Sequence, residues 1–285
     1  MARIIGGVTS SHIPAVGNAI ANHLTQEPYW KRFFDGYEPA KSWLRAKHPD
    51  VVIVVYNDHG LNFFLDKVPT FALGCADVYH NADEGWALAP VAPFKGDAQL
   101  SWHIAESLVQ QDFDICTCQE MKVDHGFVNP LRALYGTCDP WPVTTIPLAV
   151  NTVQHPVPSA NRCYKLGHAL RRAIESYPED LSVVVLGTGG LSHQLQGERA
   201  GLIDVEFDLQ CMDKIANDPE WMTHFSNSEI MRRTGTEGIE TIMWLVMRGA
   251  LQSNVKVVHK HYHAPISNTG AGVLVLENND CPDDT

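Results

Sequence analysis

Short runs of valine and isoleucine recur along this chain and alternate with segments of helical period, and this alternation restricts the fold to a βα-type architecture rather than an all-β sandwich. Five runs predict strands: Arg3–Val8, Val51–Tyr56, Val143–Val150, Ser182–Leu186 and Gly272–Leu276, with Phe113–Cys118 a weaker sixth. Ala98–Gln111 and Arg162–Tyr177 each gather their apolar residues on one face and predict amphipathic helices. Thr236–Ala250 is apolar around most of its circumference and predicts a deeply packed central helix. The expectation is an α/β fold: one large domain over residues 1–276, with a mainly parallel or mixed central sheet flanked by helices.

Asp77–Gly96 and His155–Asn161, with their prolines, predict loops rather than linkers, and residues 277–285 predict a disordered acidic tail. Lysine and arginine number 21 against 33 acidic residues, a net charge of −12 that repels phosphate backbones and anionic lipid, so neither nucleic acid nor a membrane is an expected partner. No apolar run approaches the roughly 18 residues a spanning helix needs, and a strand-like run starts at Arg3, which argues against a signal peptide and for the cytoplasm. The seven cysteines are scattered without a C-x-x-C pair, so they predict small buried hydrophobes rather than a disulfide framework or zinc knuckle.

The placement of histidine carries the functional signal. The first strand runs into Ser10-Ser11-His12, the second into Asn57-Asp58-His59, and the strand at Ser182 into Gly187-Thr188-Gly189-Gly190-Leu191-Ser192-His193. The weaker strand leads to Asp124-His125-Gly126. Ligands of open α/β sheets bind outside the carboxyl ends of the strands, so these imidazoles are expected to share one pocket. Any one of them alone reads as a hydrogen-bonded loop residue or cap, while His23, His48, His80, His103, His155, His168 and His224 lack this placement and read as surface or packing residues. His259, His261 and His263 alternate as one face of a strand does; such a row can hold a metal but more often marks a solvated edge, and it is left outside the site.

Imidazoles alone leave a metal's charge uncompensated. Glu240 lies between Ile239 and Ile242 on the apolar helix, where an unpaired carboxylate is too costly to keep. Its neighbour Glu237 has a structural explanation, a capping box reaching back to Thr234. Two histidines and one carboxylate with open positions form the facial triad of non-haem Fe(II) oxygenases, and the same trio also suits catalytic zinc.

The residues around these positions discriminate further. Ser10-Ser11-His12-Ile13-Pro14, Tyr56-Asn57-Asp58-His59, Ala82-Asp83-Glu84-Gly85-Trp86, Val123-Asp124-His125-Gly126, Gly187-Thr188-Gly189-Gly190-Leu191-Ser192-His193-Gln194 and Glu237-Gly238-Ile239-Glu240 resemble, in matching order, the β subunits of protocatechuate 4,5-dioxygenases. These belong to the class II, LigB-type extradiol dioxygenases. The resemblance runs from residue 1 to about Leu276. It implies Fe(II) held by His12, His59 and Glu240, with His193 as the acid/base histidine and His125 as a second active-site histidine. It places Ser267 and Asn268 on the substrate carboxylate. It further implies dioxygen and a catecholic carboxylate as substrates, and a small α subunit covering the pocket.

The implied reaction is meta cleavage of protocatechuate to 4-carboxy-2-hydroxymuconate semialdehyde, with gallate or 3-O-methylgallate as the alternative. Outside this class stand a zinc hydrolase or a non-catalytic binding subunit on the same scaffold. A serine hydrolase fails because Gln194 stands where the nucleophile elbow needs glycine, and a dinucleotide site fails because Ser192 replaces the third glycine.

Overall fold

The computed structural model describes residues 1–85 and 91–279. Its strands are β1 (Arg3–Ser10), β2 (Val51–Tyr56), β3 (Phe71–Gly74), β4 (Val78–Asn81), β5 (Phe94–Lys95), β6 (Cys116–Cys118), β7 (Lys122–Val123), β8 (Thr144–Val150), β9 (Ser182–Thr188), β10 (Val255–Ile266) and β11 (Thr269–Asn278). Eight form one sheet in the order β10-β11-β1-β9-β2-β8-β3-β6. Its centre, β1-β9-β2-β8, is parallel, while β11 joins β1 and β3 joins β8 antiparallel. This mixed sheet flanked by helices is the expected α/β class.

Both faces are covered. Val51, Ile53 and Val55 enter one apolar cluster and Val52, Val54 and Tyr56 the other, so every residue of β2 is buried and its lack of polar alternation is explained. The helices α4 (Ala98–Gln110), α6 (Ala160–Glu175), α7 (Val205–Asn217), α8 (Glu220–Thr223) and α10 (Ile242–Ala250) supply the first cluster. The second draws on α1 (Pro14–Ala21), α2 (Pro28–Asp35), α3 (Glu38–Lys47) and α5 (His125–Tyr135). Oxygens of Asp97, Asp124, Ser159 and Asp204 accept backbone N–H bonds at the starts of α4, α5, α6 and α7, satisfying donors the helix cannot.

Several local expectations change. The apolar stretch Thr236–Ala250 is not one helix: Glu237–Thr241 is a 3-10 turn that leads into α10. No capping box forms at Thr234, which ends α9 (Asn227–Thr234); the Glu237 carboxylate accepts from the Leu195 N–H instead, and the capping box belongs to Ser226 and Glu229. The Asp77–Gly96 loop contains β4 and β5, with residues 86–90, Trp86 included, outside the described residues. Glu277 and Asn278 complete β11 because Asn278 is held by the Ile4 carbonyl, and the rest of the expected tail, 280–285, lies outside the described residues. Among the described residues Cys75, Cys163 and Cys211 are buried, Cys118 and Cys138 are partly buried and Cys116 is exposed on the edge strand β6; Cys281 lies outside the described residues.

Candidate metal centre

Because β1, β9 and β2 are neighbours and parallel, their carboxyl ends open on one edge of the sheet, and the loops that follow deliver His12, His193 and His59 to it. His125 arrives differently, as the first residue of α5. The ring centroids of His12 and His59 are 5.2 Å apart, those of His12 and His125 5.6 Å, and those of His59 and His125 4.0 Å. Ligand atoms of these three rings all lie within 4.8 Å of one another.

Glu240 faces them from the 3-10 turn. Its Oε2 is 3.3 Å from His12 Nε2, and its Oε1 is 3.9 Å from His59 Nε2. Donors that share a metal at about 2.0–2.2 Å stand no more than about 4.4 Å apart, and both separations between Glu240 and these imidazoles fall within that limit. The carboxylate also accepts hydrogen bonds from Asn57 Nδ2 (3.2 Å) and from the Gly190 N–H (3.1 Å). A Cβ on Gly189, at φ +86°, would stand 2.7 Å from the Glu240 Cβ. Gly189 therefore makes room for Glu240, and Gly190, at φ +57°, for Thr241.

Each of the three imidazoles has its Nδ1 held by an oxygen. His12 Nδ1 pairs with Thr188 Oγ1 at 3.0 Å, His59 Nδ1 with Asp124 Oδ2 at 3.1 Å and His125 Nδ1 with Glu84 Oε2 at 2.6 Å. Such partners orient each ring, so that Nε2 is the atom turned toward a ligand or a proton; that of His59 also stands 3.1 Å from Asn57 Nδ2. The loop carrying His59 is itself ordered by the Asp58 carboxylate, which accepts from the backbone N–H of Gly60, Leu61, Asn62 and Phe63.

Electrostatics follow from this packing. Burial opposes charge on His59, yet Asp124 outweighs it and raises the imidazole pKa to about 9. Burial likewise works against ionised Glu240 and Asp124, but the facing histidines hold Glu240 well below the usual carboxylate range and Asp124 at about 2. At His193 burial wins: its pKa is lowered despite Glu240 and Glu237, favouring the neutral ring. Burial and the neighbouring His59 lower that of His125 as well, against the pull of Glu84.

A cavity of about 630 Å³ opens over the centre, lined by His12, His59, His125, His193, Glu240 and neighbours including Thr152, His155, Thr236 and Thr269. His155, read from sequence as a surface residue, stands at this cavity. Ser267 and Asn268 are not among its lining residues. They form the two-residue turn between β10 and β11, with φ of +49° and +60°, Asn268 is exposed, and the Ser267 N–H donates to Tyr29 Oη. Thr269, bridged to His193, is the residue of that segment that reaches the cavity.

Sequence reasoning gave no role to Asn57, Glu84, Asp124 or Thr188, which hold the histidines and Glu240. A signal existed at two of them, an acidic residue directly before His125 and an acidic pair at Asp83-Glu84, but the pairing appears only once distant loops meet.

Comparison with known proteins shows the family. The family described as "Catalytic LigB subunit of aromatic ring-opening dioxygenase" matches residues 6–274. A gallate dioxygenase of Pseudomonas putida is 48% identical over 199 residues, covering 70% of this chain and 58% of that protein. A 2,3-dihydroxyphenylpropionate/2,3-dihydroxicinnamic acid 1,2-dioxygenase of Cupriavidus necator is 35% identical over 155 residues, 54% of this chain and 47% of that protein. Its counterpart from Comamonas testosteroni is 27% identical over 81% of this chain and 84% of its own length. The chain thus spans about half the length of the first two relatives. An uncharacterized Escherichia coli K12 protein of solved structure shares the fold, with a TM-score of 0.60 at 12% identity over 95% of this chain and 99% of its own.

Proposed function

Because the chain belongs to the LigB family of catalytic subunits of aromatic ring-opening dioxygenases, we propose that it performs extradiol opening of a catechol-type ring with dioxygen, at Fe(II) held by His12, His59 and Glu240. The observation that carries this reading is the convergence of imidazoles whose Nδ1 atoms are all tied to oxygen, with one buried carboxylate between two of their Nε2 atoms. When bound, ferrous iron supplies a Lewis acid for the diol oxygens and a route for electrons to dioxygen.

The remaining steps belong to side chains. His193, neutral and beside the centre, accepts a proton from a substrate hydroxyl and returns it when the ring opens. His125, its Nδ1 fixed by Glu84, offers Nε2 to the same cavity as a second hydrogen-bonding or proton-carrying group. Asp124 and Thr188 keep His59 and His12 in the ligating tautomer.

The 48% identity to a gallate dioxygenase favours gallate over protocatechuate as substrate. Among the described residues, no lysine or arginine lines the cavity. The substrate carboxylate is therefore met by hydroxyl donors, and Thr269, Thr236 and Thr152 line the cavity where Ser267 and Asn268 do not. Exposed Leu195 and Val153 stand at the cavity and suit a covering partner such as a small α-type subunit, which would exclude water from the reaction.

Oxygen uptake by protein loaded anaerobically with Fe(II), followed with gallate, 3-O-methylgallate, protocatechuate and catechol, tests this. Uptake matched to loss of gallate and to a ring-opened product is expected. Uptake with none of the four would overturn the reading, and a preference for protocatechuate would overturn the choice of substrate.

A further inference from the structure

Asp208 is fully buried on α7, between the loop that carries His193 and the strand β10. Its Oδ1 accepts from the Ser192 N–H (2.9 Å) and from Ser192 Oγ (2.7 Å), and its Oδ2 accepts from Tyr262 Oη (2.7 Å) on β10. Ser192 Oγ in turn accepts from the Asp204 N–H at the start of α7 (3.1 Å). Gly270 closes this cluster: its N–H donates to the Ser192 carbonyl (2.9 Å), its carbonyl accepts from the Leu191 N–H (2.9 Å), and a Cβ there would collide with Asp208 Oδ2 and Tyr262 Oη.

The other side of the loop is tied to the metal side of the site. The His193 N–H donates to the Thr234 carbonyl, and the His193 carbonyl accepts from the N–H groups of Glu237 and Gly238, in the same 3-10 turn that carries Glu240. His193 is thus held between an anchor at Glu240's turn and an anchor at Asp208.

This second anchor has a cost. Among the described residues no lysine, arginine or histidine pairs with Asp208; the nearby Arg233 pairs with Asp204 instead. Burial raises the Asp208 pKa to about 6, although Ser192 and Tyr262 donate to it and lower it, while Asp204 adds to the rise. A buried carboxylate without a cation destabilises a fold, and such violations concentrate where position matters more than stability.

We propose that Asp208 is a positioning residue for the reaction: through Ser192 it fixes the backbone on which His193 meets the substrate, without touching substrate or metal itself. The proposal rests on the dioxygenase reading for its catalytic consequence, but its structural claim stands apart from it. Misplacing a reacting group by about 1 Å is worth up to roughly 10²-fold in rate, so loss of the anchor is expected to lower kcat and not metal binding.

The test compares wild type, Asp208→Ala and Asp208→Asn as full-length, iron-loaded protein. Asn keeps an oxygen for the two Ser192 donors, whereas Ala keeps none. Expected are a fall in kcat of roughly 10-fold to 100-fold for Asp208→Ala with KM and iron content unchanged, faster amide hydrogen exchange confined to Ser192 and His193, and recovery of both in Asp208→Asn. Asp208→Ala with kcat and exchange at wild-type levels overturns the proposal. So does a joint loss of turnover, iron and global protection in both variants, which marks Asp208 as a general packing residue. A wild type that consumes no oxygen while the exchange contrast persists upholds the anchor and overturns the dioxygenase reading, so the two failures are distinguishable.

Discussion

Two groups of three histidines lie in this molecule, and they differ in everything except residue type. His12, His59 and His125 come from three distant segments and bring ligand atoms within 4.8 Å of one another. His259, His261 and His263 come from one strand, their rings parallel within 8° and spaced 6.4 and 6.5 Å, which is the two-residue repeat of β structure. Parallel rings at that repeat do not turn their nitrogens toward one point, and among the described residues only His12, His59 and His125 group their ligand atoms this closely. The first group has an oxygen behind every Nδ1 and a buried carboxylate in front. In the second, His259 Nε2 is committed to the Gly36 carbonyl and His261 Nε2 is buried without a partner among the described residues. Convergence of distant segments, not histidine density, gives a cluster that could hold a metal.

The largest effect that bears on this contrast is loss of the metal. His12→Ala, His59→Ala and Glu240→Ala are each expected to abolish stable iron binding and turnover while the fold persists, because none of these side chains belongs to the two apolar clusters that cover the sheet. His259→Gln and His263→Gln should leave iron content and kcat at wild-type values. Iron analysis after anaerobic loading checks both, and iron loss from the β10 variants would erase the distinction.

Next in size comes the proton carrier. His193→Ala should keep its iron and substrate affinity and lose roughly 10²–10⁴-fold in kcat, the usual worth of a positioned general acid or base. Loss of iron in that variant would move His193 into the ligand set. Smaller again is the effect of the residues behind the ligands: Asp124→Asn should weaken iron binding by roughly 10–100-fold, measured by competition with a chelator. An unchanged affinity would mean that the Nδ1 contact does not orient His59.

The smallest effect concerns stability. Asp208 ionises at about 6 in the fold against about 3.8 in an unfolded chain, so its stabilising contribution is complete below about pH 3.8 and is lost as pH rises through 6. The melting temperature of Asp208→Asn relative to wild type should therefore rise between about pH 4 and pH 6 and level off above. A constant difference across that range would show that Asp208 does not titrate there.

Much of the fold was legible because its central strands are continuous apolar runs: Val51–Tyr56 is β2 to the residue, and the helix predicted over Ala98–Gln111 differs from α4 by one residue. The edge strand β10 was visible only through its alternating histidines, since Lys256, His259 and Lys260 interrupt its apolar character. The break at Thr241 was not legible, because the change from 3-10 turn to α-helix leaves the apolar pattern intact. At the centre, the strand-end histidines and Glu240 could be found because each carries a local mark, a following loop or an apolar setting. Their supporting oxygens on Glu84, Asp124 and Thr188 carry none that specifies a partner. Asp208 reads simply as an acidic residue near the start of a helix until Ser192 and Tyr262 are placed against it.

The identity of the third ligand bears most directly on the central claim, because His125 and Glu240 both stand beside His12 and His59. Iron per chain in anaerobically loaded Glu240→Ala and His125→Ala decides between them. With Glu240 supplying the negative charge that two neutral imidazoles lack, His125→Ala should retain its iron and Glu240→Ala should lose it. Full iron in Glu240→Ala together with none in His125→Ala would contradict the two-histidine, one-carboxylate centre and replace it with three histidines.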